Sequence, residues 1–185
     1  LNYQGNADTF TVEYGTDGLA LSITYVDATQ GWIPTIDEAV TDVPTKGNEN
    51  GIFAFGTAGP VTAVSNLVSS AGVVATDTSG VGTARSYPGA CEYGGDKGIF
   101  GYGETTSKVS MTNLVSNTGV VGTDVTGVGS VRGFLSACSY GGDKGIFGFG
   151  TLASGSYTAI TNLVSNAGVV GTDVTGVGTV RGYLA

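Results

Sequence analysis

Residues 98–135 read GIFGYGETTSKVSMTNLVSNTGVVGTDVTGVGSVRGFL, and this stretch occurs three times in the chain. An earlier copy starts at Gly51 and a later one at Gly145, so successive starts are 47 residues apart. Residues 112–135 and 161–184 differ only at Thr118/Ala167, Ser130/Thr179 and Phe134/Tyr183, which leaves 21 of 24 positions identical. A repeat of this length is one supersecondary unit that buries its faces only against its neighbours.

Each copy parses in the same way. A strand is expected over 97–103, then a variable loop, a second strand over 111–116 and a turn at 117–119. A short strand at Val120 and Val121 follows, then an open Gly/Thr loop over 122–129. A last strand is expected over 131–138, and 140–143 should turn back into the next copy. Three or four short antiparallel strands per unit describe a β-propeller blade. The 33 glycines and 12% charged residues agree with a turn-rich all-β chain. No window carries apolar residues at helical spacing without a glycine cutting through it.

The net charge of −8 is unevenly placed. Residues 1–45 hold seven carboxylates (Asp8, Glu13, Asp17, Asp27, Asp37, Glu38, Asp42) and neither Lys nor Arg, while the repeats hold eight acids against seven bases. Without a basic patch nucleic-acid binding is not expected. Nor is membrane insertion, since no apolar run approaches the roughly 20 residues of a spanning helix.

The sequence points away from catalysis. It has no histidine, the commonest general base and zinc ligand. Asp77, Asp124 and Asp173 recur once per repeat, as do Asp96 and Asp143 in GGDKG turns; a residue present in every copy reads as part of the unit, here a turn-holding aspartate. Arg85, Arg132 and Arg181 also recur and read as donors to carbonyls or to a carboxylate of the adjacent unit. Cys91 and Cys138 occupy equivalent positions and read as small buried apolar residues rather than a disulfide. GTDVTGVG lacks the ending of a phosphate loop. No cofactor or metal is expected, and Glu92 and Glu104 are the only unrepeated acids an enzyme could use.

What differs between copies is the loop after each GIFxFG strand: 57–64, 104–110 and 151–159, the third two residues longer. Fixed strands with a varied loop describe a scaffold presenting a surface. Glu104, Lys108, Leu152, Ser154 and Tyr157 are the candidate surface-binding residues.

Residues 1–45 stand outside the repeat. TFTVEY (9–14) and ALSITYV (20–26) alternate as half-buried strands, with turns at 14–18 and 27–31 and a third strand starting at Trp32. Residues 36–50 read as a polar linker, with the boundary near 45–47. SITYVDATQGWI (22–33) resembles the ending of small β modules in bacteriophage head- and tail-fibre proteins. That resemblance implies a homotrimer, a place in the virion outside the cell, and contacts with other virion proteins and a host-surface glycan or protein.

The repeats resemble the kelch class. Arg132, the small-residue strand after it, the GGDK turn and the IFGFG strand fall in the kelch order, although the usual tryptophan and strict Gly-Gly doublet are missing. The expected architecture is all-β: a small N-terminal β module (1–45) for attachment or oligomerisation, then three kelch-like β-propeller-type repeats of about 47 residues (46–185). The function expected is that of a structural, adhesive phage fibre segment without catalysis; the alternative is a cellular or secreted kelch-type β-propeller interaction module. A chain running from Leu1 to Ala185, inside a repeat element, is expected to be a piece of a longer polypeptide. Its terminal TVRGYLA could complete the first blade, which lacks that strand.

Overall fold

The computed structural model describes residues 2–3, 6–7, 12–14, 23–34, 40–42 and 49–184. Every regular element among them is a β-strand. The chain divides into two compact units, Leu1–Gly47 and Asn48–Ala185.

The first unit holds β1 (Asn2–Tyr3), β2 (Asn6–Ala7), β3 (Val12–Tyr14), β4 (Ile23–Asp27), β5 (Gly31–Pro34) and β6 (Val40–Asp42). One sheet runs β2-β1-β5-β4, and β3 pairs separately with β6. The turn between β4 and β5 is set by Asp27, whose carboxylate accepts the Thr29 and Gln30 N–H groups at 2.8 and 2.7 Å, an aspartate turn of ordinary kind. Tyr25 meets Trp32 edge-on at 5.6 Å across that hairpin. The span 36–50 is not all linker. Its β-branched Val40-Thr41 pair lies in β6, antiparallel to β3. The expected turn over 15–18, the strand residues 9–11 and 20–22, and the domain boundary at 45–47 lie outside the described residues.

The second unit contains β7 (Gly51–Thr57), β8 (Val61–Val68), β9 (Gly89–Tyr93), β10 (Lys97–Gly101), β11 (Thr112–Val115), β12 (Arg132–Gly133), β13 (Ser136–Tyr140), β14 (Lys144–Gly148), β15 (Thr151–Leu152) and β16 (Thr161–Val164). The GIF strand is central in both larger sheets, β11-β10-β9 and β16-β14-β13, and β7 pairs with β8. All these pairings are antiparallel, with Ile99 opposite both Cys91 and Leu114. Val121, expected in a short strand, makes a single bridge to Val115.

Successive sheets pack face to face, β9 against β13 and β14. Tyr93, Ile99, Tyr102, Leu135, Phe147 and Val164 form the main core, and Phe100, Val115 and Val121 a second one beside Ile52 and Phe55. A fully buried Phe or Ile side chain contributes about 1.5–3 kcal/mol. Close approach requires small residues: a Cβ added at Gly101 would lie 2.7 Å from the Phe147 ring.

The strand expected over 131–138 is broken. Phe134 has φ 57°, so β12 ends before it and β13 begins after it. β12 turns to pair with β15, while β13 pairs with β14. The chain's last residues do not complete the first unit. Instead the Gly150 N–H donates to the Arg181 carbonyl and the Tyr183 N–H to the Phe134 carbonyl, both at 2.9 Å. Among the described residues no strand lies on the outer edge of β7, and the sheets do not close into a ring.

Candidate binding surface

Among the described residues six non-glycine positions have positive φ, and all are aromatic: Phe55, Tyr102 and Phe149 near 64°, Tyr87, Phe134 and Tyr183 near 57°. Such a backbone costs on the order of 1–3 kcal/mol per residue and persists only where its surroundings over-determine it. Two devices, each repeated along the chain, do so here.

The first is an arginine staple. Arg85, Arg132 and Arg181 stack on Phe55, Tyr102 and Phe149 at 4.0, 4.1 and 3.9 Å from ring centroid. Such a contact contributes about 2 kcal/mol where it is desolvated, as at Arg85 and Arg132, and about 0.5–1 kcal/mol where it is exposed, as at Arg181. Arg85 and Arg132 have no exposed surface, yet each reaches the following repeat. Arg85 Nε donates to the Tyr102 carbonyl at 2.8 Å. Arg132 donates to Asn162 Oδ1 and lies 3.9 Å from the Asp173 carboxylate. Burial lowers the pKa of Arg85 to about 10 against the field of Asp124, and it lowers that of Arg132 against Tyr102 and Asp173.

Asp124 and Asp173 complete the staple, and here the sequence reading is corrected. They do not hold their own turns but receive the preceding repeat. Asp124 accepts the Thr83 N–H at 3.0 Å and the Thr83 hydroxyl at 2.6 Å. Asp173 accepts the Ser130 N–H and hydroxyl at 3.0 and 2.7 Å. Asn113 and Asn162 orient the carboxylates at 2.9 and 3.0 Å. Partial burial works to raise both carboxyl pKa values, but the hydroxyl, amide and N–H donors and the nearby guanidinium outweigh it, so both lie below the usual carboxylate value. Asp96 and Asp143 are different again, paired with the adjacent Lys97 and Lys144 at 2.6 and 2.8 Å.

The second device is an aromatic ladder. Tyr87, Phe134 and Tyr183 each follow an arginine by two residues, and their rings stack at 4.0 and 4.4 Å. The variable loops root beside this ladder. Ser86 and Glu104 exchange backbone hydrogen bonds at 2.9 and 2.8 Å, and β12 pairs with β15 at the base of the third loop. The Lys108 ammonium lies 5.8 Å from the centre of the Phe134 ring and 3.9 Å from Glu104.

The five candidate surface residues therefore separate into two kinds. Ser154 and Tyr157 stand exposed in the third loop, whereas Glu104, Lys108 and Leu152 are half-buried and help to root their loops. The loop tips at 57–60, 106–107 and 153–156 are exposed. The ladder was missed in the sequence; its signal was an aromatic residue two places after every arginine.

A groove of about 930 Å³ is lined among others by Ile52, Leu67, Cys91, Val115 and Cys138. Both cysteines are free thiols; Cys91 is half-buried and Cys138 exposed, so the reading of two buried residues is corrected for Cys138. Both line the groove, and Cys91 also faces the next sheet, where a Cβ added at Gly145 would run into its Sγ. Among the described residues no group of three His, Cys, Asp or Glu side chains could hold a metal ion, and no helix is long and apolar enough to cross a membrane.

No protein-family model matches the sequence, and neither does any curated protein. Among solved structures the chain is similar to a copper-bound fungal alcohol oxidase of the AA5 family, at a TM-score of 0.48 and 16% identity. The match covers 70% of this chain and 28% of the oxidase.

Proposed function

We propose that this chain is a structural, adhesive protein, a fibre segment of a tailed bacteriophage in which stacked repeats carry variable loops to a host surface. The observation that carries this reading is the use made of the repeated charged groups. Arg85, Arg132, Asp124 and Asp173 bond repeat to repeat, and Asp96 and Asp143 bond to neighbouring lysines. The chemistry of the repeats is spent on rigidity, and the copies differ in length only in loops rooted on that frame. Rigid repetition with small local differences suits multivalent contact, in which avidity exceeds single-site affinity.

In this reading the units are kelch-like and propeller-type. Antiparallel sheets packed face to face, the two three-stranded ones with the GIF strand at the centre, support that description. The N-terminal unit would hold three chains together and join them to other virion proteins, as its resemblance to fibre modules implies. The ligand would be a host-surface glycan or protein, met by the loop tips and by Tyr157.

Loop replacement tests it. Ala-Ser-Gly sequences replace 105–107 and 153–157, and binding to bacterial cells and to a panel of surface polysaccharides is measured. The expected result is a folded protein that has lost binding. Unchanged binding would sink the adhesive reading.

A further inference from the structure

Each variable loop is closed by one cross-strand pair: Thr57 opposite Val61, Glu104 opposite Lys108 and Thr151 opposite Tyr157. The backbone closes the loop in all three copies, so a charged pair is not needed to form it. Only the second repeat carries one. That repeat packs on the first through Phe100 and Val115, beside Ile52 and Phe55, and on the third through Ile99, beside Phe147. The surroundings of its loop are therefore supplied by the repeats on either side.

The Lys108 ammonium lies 3.9 Å from the Glu104 carboxylate, beyond hydrogen-bond distance. The Lys108 side chain is only 13% exposed and that of Glu104 31%. Neither charged group makes a hydrogen bond among the described residues; the bonds that Glu104 exchanges with Ser86 use its backbone. An ammonium has three donors and a carboxylate about four acceptor sites, so this half-buried pair keeps a bonding capacity that the fold leaves unused. Beside it lies the Phe134 ring, its centre 5.8 Å from the ammonium. The loop tip is Thr105-Thr106-Ser107, every side chain of which bears a hydroxyl. That tip is rigid, since the Thr105 N–H and hydroxyl both donate to the Ser107 carbonyl, at 2.9 and 3.2 Å.

We propose that Glu104 and Lys108 together hold two adjacent hydroxyls of a neutral sugar, an inference that rests on reading the variable loops as a binding face. One hydroxyl accepts from the Lys108 ammonium and its neighbour donates to the Glu104 carboxylate. A sugar diol can do both because each hydroxyl is donor and acceptor at once. The two charges of the pair cancel, so the site favours an uncharged ligand. An acidic sugar would meet the Glu104 carboxylate, and a basic peptide the Lys108 ammonium. The Lys108 stem and the Phe134 ring give the C–H groups of the sugar apolar ground. A protein partner fits less well, because the loop has no aromatic or large aliphatic anchor of the kind that carries protein interfaces. The rigid tip holds the pair ready before the ligand arrives.

The test is binding of the full chain to immobilised neutral and acidic glycans and to bacterial cells. Each is measured before and after mild periodate, which cleaves the bond between adjacent hydroxyl-bearing carbons. The variants are Glu104→Thr and Lys108→Val, which give the second loop the closing pair that the first loop carries and so keep the fold. The expected result is binding to neutral glycans that periodate abolishes and that either variant weakens about tenfold or more, the equivalent of 1.4 kcal/mol. No glycan bound, binding confined to acidic glycans, or binding that withstands periodate and both variants would overturn the proposal. Cells that stay bound after periodate, yet are lost on loop replacement, would remove the diol and leave the adhesive reading standing. Neutral glycans held through Glu104 and Lys108 by a wild type that binds no cells would keep the site and sink that reading instead.

Discussion

The guanidinium of Arg132 lies 4.1 Å above the ring of Tyr102 in its own repeat, while its outer nitrogens reach Asn162 and Asp173 in the next. One side chain thus fixes a strained aromatic backbone, φ 63° at Tyr102, and binds two repeats together. The equivalent Arg181 makes the first contact, at 3.9 Å from Phe149, but has no following repeat within residues 1–185. Comparing the two separates what stacking does from what the staple does.

Arg132→Ala should destabilise the fold by about 3–5 kcal/mol, since it strands a buried Asn162 and a partly buried carboxylate. Arg132→Lys should recover little, because an ammonium neither lies flat on the ring nor forks to two acceptors. Arg181→Ala, at an exposed site, should change stability by no more than about 0.5–1 kcal/mol, the worth of an exposed ring contact. Urea denaturation of the three variants checks the order.

Acid should loosen the joints between repeats. In the folded protein the surrounding hydroxyl, amide and N–H donors hold the Asp124 and Asp173 carboxyls below the usual carboxylate value despite their partial burial. The stability they contribute is therefore fully present above about pH 4 and is lost as pH falls through the depressed folded values. Thermal denaturation of wild type from pH 6 downward should show this loss. Asp124→Asn and Asp173→Asn should be less stable at neutral pH and flatter toward acid; a variant that keeps the wild-type slope would remove that carboxylate from the account.

The ladder should be cooperative. A double-mutant cycle of Tyr87→Ala and Phe134→Ala should return a coupling of about 0.5–1.5 kcal/mol, the range of stacked aromatic pairs. Additive losses would mean that the 4.0 Å stacking contributes nothing of its own.

The two thiols should react at different rates. Burial raises the Cys91 pKa to about 11, so little thiolate forms at neutral pH, whereas Cys138 is exposed. Maleimide labelling of native protein followed by peptide mapping should find Cys138 modified first and Cys91 only on unfolding.

Much of the fold was legible in the repeat itself. Period and strand pattern led to the antiparallel sheets, and the varied loops stood out because the copies differ in length only there. The break at Phe134 was not legible, because a left-handed aromatic has no local signal; it is held by stacking on Tyr87 and by the Tyr183 N–H. The partners of Asp124 and Asp173 were hidden for a similar reason. Thr83 lies 41 residues before Asp124 and Ser130 lies 43 before Asp173, so a turn-like sequence suggested a local bond where a long-range one forms. The arginine partners were easier to foresee, since a lone cation recurring in every unit needs an acceptor in every interface.

The most direct test of the staple is amide hydrogen exchange at three equivalent positions, Thr83, Ser130 and Thr179, in dilute protein. The first two N–H groups donate to Asp124 and Asp173 at 3.0 Å, and Thr179 has no following repeat within residues 1–185. The account predicts strong protection at Thr83 and Ser130 and fast exchange at Thr179. Equal exchange at all three positions would contradict it.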